Sequence, residues 1–159
     1  TTLTEQLRAF RFRPGTPRKL NQLFEPISGR SVSLRVEDPW CGARHRNRER
    51  LALFLNVLVG SNVHLREVTI TWNPDYQELE SPTAQADAMR SEFRRAQLAI
   101  EPRFEPRSKR EGHFHDRVVL AQTLDDGAAL KVRWDITAGI DNLMSVSKEC
   151  TVFLEVLGP

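Results

Sequence analysis

Cysteine is scarce in this 159-residue chain: Cys41 and Cys150 stand far apart and match no metal-binding spacing. A reduced cytoplasmic protein is the first expectation, and a single disulfide between the two is left open. Long apolar runs are lacking as well. The longest, near Leu51–Val59, falls far short of a membrane span, and no signal peptide is legible. There is no internal repeat and no low-complexity tract. The chain opens on Thr1 rather than Met, as a domain cut from a longer protein would. Charge of one sign is also missing: 23 Lys and Arg against 21 Asp and Glu leave a net charge of +2, so bulk charge makes no case for nucleic acid. What is present, 40% hydrophobic and 28% charged residues, is the composition of one folded domain with a sizeable core.

Punctuation along the chain predicts alternating elements. Residues 1–13 read as a leading strand or an arm. Thr16 and Pro17 open a helix whose stripe is Leu20, Leu23, Phe24 and Ile27, stopped by Gly29. SVSLRVED alternates as a strand and ends at Pro39. A helix from about Arg44 to Val59 carries Leu51, Phe54, Leu55 and Leu58 at helical spacing. Strand 66–72, a polar loop, a helix from Pro82 to about Leu98 and a short strand in IEPRFEP follow. Asp125–Asp126–Gly127 marks a hairpin between DRVVLAQTL and ALKVRWDI, and residues 151–157 supply a last strand. The expectation is a mixed-sheet α/β sandwich with helices on the sheet faces.

One stretch breaks a local rule. CGARHRNRER places Arg44, His45, Arg46, Arg48 and Arg50 in the first turns of a helix. The positive end of the helix dipole favours acids there, so arginines oppose it. Ligands commonly bind beyond strand carboxyl ends in α/β folds, and free helix N–H groups add anion donors. The cluster therefore reads either as an anion site or as a solvated helix face with Glu37 and Asp38 as counter-ions. Arg103, Arg107, Lys109, Arg110 and Arg117, beside His113 and His115, would extend it into one electropositive surface. Trp40 would insert at a lipid interface, stack on a base, or sit half-buried.

HFHDR (113–117) raises a second question. An ionised Asp116 at the buried end of a strand needs a partner, which basic neighbours or the N–H groups of the Gly139–Asp141 turn would supply. His115 and Arg117 side by side form a phosphate-binding pair by chemistry. Phospholipase D-class phosphodiesterases use H-x-K-x(4)-D, and neither histidine fits that spacing, so no catalytic residue is assigned; His115 is the only nucleophile to consider. No cofactor and no metal are called for.

RVEDPW (35–40), GHFHDR (112–117) and TAGIDNL (137–143), in that order, resemble the MIT C-terminal domain. This is the phospholipase D-like domain that follows a microtubule-interacting-and-trafficking domain in a eukaryotic cytokinesis protein and also occurs in prokaryotes. The likeness covers roughly residues 14–156. It implies an α/β fold with a phospholipase D-like mixed β-sheet sandwiched by helices over 14–159. It also implies homodimerisation and binding to acidic phospholipids, phosphoinositides especially. Glu37, Asp38, Pro39 and Trp40 match the first motif, His115, Asp116 and Arg117 the second, and Gly139, Ile140 and Asp141 the third. The dense RHRNRER cluster departs from the animal pattern and suggests a bacterial member, and no microtubule-interacting-and-trafficking domain lies within these residues.

The leading expectation is a non-enzymatic module, cytoplasmic and peripheral to the inner face of the membrane. Trp40, Arg44, His45, Arg46, Arg48, His115 and Arg117 would hold phosphorylated headgroups of acidic phospholipids. Glu37, Asp38, Asp116 and Asp141 would form a structural polar network. The alternatives are a nucleic-acid-binding or nuclease-like component of a bacterial defence system using the same cleft, and a protein–protein or dimerisation module.

Overall fold

The computed structural model describes residues 6–108 and 116–157. In chain order these form strand β1 (Gln6–Phe12), a 3-10 segment (Leu20–Ile27), β2 (Ser31–Glu37) and helix α1 (His45–Gly60). Then come β3 (His64–Trp72), a short 3-10 turn (Pro74–Tyr76), α2 (Pro82–Arg95), β4 (Arg103–Pro106), β5 (Val118–Thr123), β6 (Lys131–Ile136), α3 (Gly139–Leu143) and β7 (Cys150–Leu157). The strands make one sheet of order β1-β7-β6-β5-β2-β3-β4. β2, β3 and β4 run parallel through the α1 and α2 crossovers, and the remaining pairs are antiparallel.

A mixed α/β architecture is what the alternation of helix and strand patterns predicts, but the second helix layer is absent among the described residues. Register explains this. Val36 faces Ile70 and Val119, Val119 faces Trp134, and Trp134 faces Leu154, so these residues share one side of the sheet. All are buried. α1 packs against α2, α3 and the first 3-10 segment on that same side, and Trp134 donates its indole N–H to the Leu23 carbonyl at 2.8 Å. The opposite side presents Arg35, Glu37, Lys131, Arg133 and Asp135, none of them buried. Period-2 alternation of this kind buries one face only.

Two further differences have local causes. The first helix is a 3-10 segment starting at Leu20, not a helix from Thr16, and Pro26 inside it lacks the N–H that an α-helical ladder needs. The stretch after β6, expected as a turn, closes into the short helix α3 once Gly139 adopts φ 82°. Cys41 and Cys150 are both buried free thiols. Among the described residues no helix is long and apolar enough to cross a membrane.

The core fixes the loops around one end of the sheet. Leu51, Phe54, Leu55 and Leu58 of α1 are fully buried, each contributing about 1.5–3 kcal/mol of apolar burial. Trp72 donates to Gln85 Oε1 at 2.8 Å. The Gln85 amide in turn donates to the Pro74 and Glu80 carbonyls at 3.0 Å each, tying the loop after β3 to α2.

Candidate functional site

Where β2 ends and α1 begins, the chain passes through Asp38–Arg44, and the end of β6 leads into α3 beside it. Asp38 joins the two segments. Its carboxylate accepts the Trp40 N–H at 2.9 Å, an Asx turn over Pro39. The other oxygen accepts the Ile140 N–H at 3.0 Å. Asp38 is 3% exposed. Burial pushes its carboxyl above the ordinary value, while the two N–H donors and the Arg117 charge pull it back down.

Above this lock lies a cavity of about 480 Å³. Arg44 and Arg46 reach it from the start of α1, and Arg117 from the residue before β5. Asp141 and Asn142 of α3 line the far wall, and Trp40 forms one side. Trp40 is stacked on Tyr76, with ring centroids 4.1 Å apart and planes at 25°, a contact worth about 0.5–1.5 kcal/mol beyond area. The α1 N-terminus has no side-chain cap and no acid in its first turn, so its dipole adds to the arginine charge.

The three guanidinium groups are held differently. Arg46 Nη2 lies 3.0 Å from Asp141 Oδ2. Arg117 Nη1 donates to the Thr137 carbonyl at 3.3 Å, and its Cδ lies 3.0 Å from where a Cβ on Gly139 would stand. Arg44 is exposed and has no ion-pair partner among the described residues. Cys41 also lines the cavity, but burial raises its thiol well above the ordinary value, which removes the reactive thiolate at neutral pH.

Several expected site residues lie elsewhere. Arg48 is buried beneath the loop, donating to the Gly42 carbonyl at 2.9 Å and to Glu80 at 2.7 Å, so it is a structural clamp rather than a ligand contact. His45 turns to Glu49 and Glu92, at 3.4 and 3.3 Å, and does not line the cavity. Asp116 is exposed, not buried, and needs no lock; the N–H group of the Gly139–Asp141 segment goes to Asp38 instead. Glu37 lies on the open sheet face, 3.9 Å from Arg35. Arg103 belongs to β4 at the far edge of the sheet, and Arg107 donates its backbone N–H to Trp72 beside it. The single surface expected from residues 103–117 therefore reduces, among the described residues, to Arg117. His113, His115, Lys109 and Arg110 lie outside the described residues.

Sequence signals for two of these corrections exist. Arg48 stands three residues before Leu51 and seven before Leu55, so it extends the buried stripe of α1 backwards by one turn. Asp-Pro is a turn-initiating pair, which favours Asp38 over Asp116 as the residue that holds backbone N–H groups. Tyr76 and Asn142 have no comparable signal, because both sit on short helical segments whose placement depends on tertiary packing.

What the cavity can do chemically is hold an anion. Guanidinium groups bind phosphate and carboxylate through paired, charge-assisted hydrogen bonds. Among the described residues no cluster of His, Cys, Asp and Glu is arranged to hold a metal ion. No family model matches the chain, and no curated protein and no solved structure matches it either.

Proposed function

We propose that the protein is a non-catalytic binding module whose arginine-lined cavity holds the phosphate of an acidic phospholipid headgroup at a membrane surface. One observation carries this reading: Arg44, Arg46 and Arg117, from two separate parts of the chain, line one cavity, and Arg44 has no acidic partner among the described residues. A solvated basic face would give no reason for this convergence. Basic residues near an anionic surface contribute on the order of 1 kcal/mol each, and exposed Trp40 at the rim suits the interface. Both aspartates of the cavity are already engaged, Asp38 by two N–H groups and Asp141 by Arg46, which favours binding over acid–base chemistry. The likeness of the three short motifs to the MIT C-terminal domain fits the same reading, and on it the module is phospholipase D-like, homodimeric and peripheral to the cytoplasmic face.

Flotation with vesicles tests it. The protein is expected to float with vesicles containing a phosphorylated acidic lipid and to stay behind with neutral ones, and Arg44→Ala together with Arg117→Ala should abolish the difference. Equal recovery with both vesicle types at low salt would overturn the lipid reading.

The Trp40–Tyr76 stack favours a second reading, nucleic acid, because a preformed aromatic platform beside arginines is how unpaired bases are held. That reading predicts oligonucleotide binding that weakens steeply with salt. A nuclease version further predicts cleavage that disappears in His115→Ala.

A further inference from the structure

The helix-free side of the sheet carries a trough of about 390 Å³ over β2, β5, β6 and the end of β7, within the range of small-molecule sites. It shares no residue with the arginine-lined cavity. Register sets the side chains that face it, because residues paired across strands project to the same side. Arg35, Leu120 and Arg133 stand abreast in one row, and Gln122, Lys131 and Leu157 in the next. Leu34, Ala121 and Val132, which alternate with them, are buried on the helix side. Leu120 and Leu157 are half-buried and give the trough apolar surface. Its lining holds three cations and no acid. Two of the cations are engaged from outside: Arg35 pairs with Glu105 and Arg133 with Asp135, each at 3.1 Å. Both acids stand in the row beyond, level with Glu37 and away from Lys131. The guanidinium groups are thereby drawn off, and the trough keeps their aliphatic stems. Lys131 has no acidic partner among the described residues, and the Gln122 side chain beside it makes no hydrogen bond among them.

We propose that this trough is a second binding site, for a small monocarboxylate with an apolar tail. Charge complementarity sets the head group. One unneutralised ammonium calls for one negative charge, and a phosphate dianion would find no free guanidinium to grip it in pairs. The carboxylate meets Lys131 and accepts from the Gln122 amide on the adjoining strand. The tail lies on Leu120 between the stems of Arg35 and Arg133, and Leu157 flanks the head. Each methylene covered there adds about 0.8 kcal/mol, so neither end of the ligand suffices without the other. A face meant only for water gives no reason to place leucine between two arginines whose charges are turned away from it. The proposal does not rest on the anion-site reading.

Chemical shifts of the isotope-labelled protein test this with four probes: octanoate below its micelle concentration, acetate, 1-octanol and inorganic phosphate. Octanoate should give saturable shifts at Leu120, Gln122, Lys131 and Leu157, and bind about tenfold tighter than acetate or 1-octanol. Inorganic phosphate should leave those four signals in place. Lys131→Gln, an exposed change, should weaken octanoate about tenfold and leave 1-octanol unaffected. Leu120→Ser should weaken both, with a thermal melt reporting that the variant is folded. If 1-octanol binds as tightly as octanoate, if Lys131→Gln leaves octanoate unchanged, or if phosphate moves the same signals, the proposal is wrong. If the four signals move when the free protein is diluted, the trough is covered by a second copy, and the proposal is wrong on that count too. None of these failures touches the arginine-lined cavity, whose own phosphate shifts fall on other residues.

Discussion

At the scale of single residues, Arg44 and Arg48 lie one helical turn apart and have opposite roles. Arg44 projects into the cavity without an acidic partner among the described residues, and Arg48 is packed under the loop against the Gly42 and Ala43 carbonyls and Glu80. Arg44→Ala should therefore leave thermal stability nearly unchanged and weaken phosphate binding about tenfold, the worth of a charge-assisted contact. Arg48→Ala should do the reverse, lowering unfolding free energy by about 3–5 kcal/mol because Glu80 and two carbonyls lose their donor; chemical denaturation of the two variants side by side reads the contrast. The sequence made the basic cluster visible but could not divide it, since three arginines in five residues look alike until the apolar stripe of the helix is projected onto them. His45 illustrates the limit further. Its partners Glu49 and Glu92 come from α1 and α2, and the second is set by how the helices pack, which no local pattern encodes.

Among the elements, the loop between β2 and α1 is the most constrained. A Cβ on Gly42 would stand 2.7 Å from Trp72 Cδ1 and 2.8 Å from Met89 Cε, so the loop reaches its place over the core only because this residue has no side chain. Gly42→Ala should cost about 1–3 kcal/mol through overpacking and, by lifting the loop, also weaken phosphate binding; a variant that is destabilised but binds normally would separate the loop from the site. The β5–β6 hairpin carries a different device. Asp125 accepts from both Arg30 and the Ser31 N–H, and the Arg30 guanidinium holds its carboxyl well below the usual carboxylate range. A depressed carboxyl contributes stability that is present above its unfolded value, about 3.9, and lost as pH falls through the folded one. Thermal melts of Asp125→Asn should accordingly lose less stability than the wild type between about pH 5 and about pH 2, and parallel curves would rule the ion pair out as a contributor. Strand order of appearance, both crossover helices and this hairpin were legible from alternation, helical spacing and turn residues. The 3-10 form of the first helix was not, because the N-terminal signals at Thr16 and Pro17 outweighed Pro26, which sits inside the segment. Nor was α3, whose five residues are too short for a periodic pattern.

For the whole molecule, the layering matters most. All helices among the described residues cover one side of the sheet, so the other side faces outward with paired charges such as Arg35–Glu105 and Arg133–Asp135. The alternation Ser33, Arg35, Glu37 in β2 and Lys131, Arg133, Asp135 in β6 already implies one wet face; the expectation of a sandwich came from the alternation of helix and strand patterns along the chain, and the family likeness implies the same. The cavity sits where the helix layer meets the end of the sheet, with Arg46 on α1 and Arg44 and Arg117 on the residues immediately before α1 and β5. A net charge of only +2 means that any anion affinity must be local, and binding should map to one place. Titration of the isotope-labelled protein with inorganic phosphate, followed by amide chemical shifts, tests this most directly. The account predicts saturable shifts confined to residues 38–47, 117 and 137–142, abolished in the Arg44→Ala, Arg117→Ala double variant. Shifts that do not saturate, or that scatter over arginines across the surface and survive that variant, would contradict it.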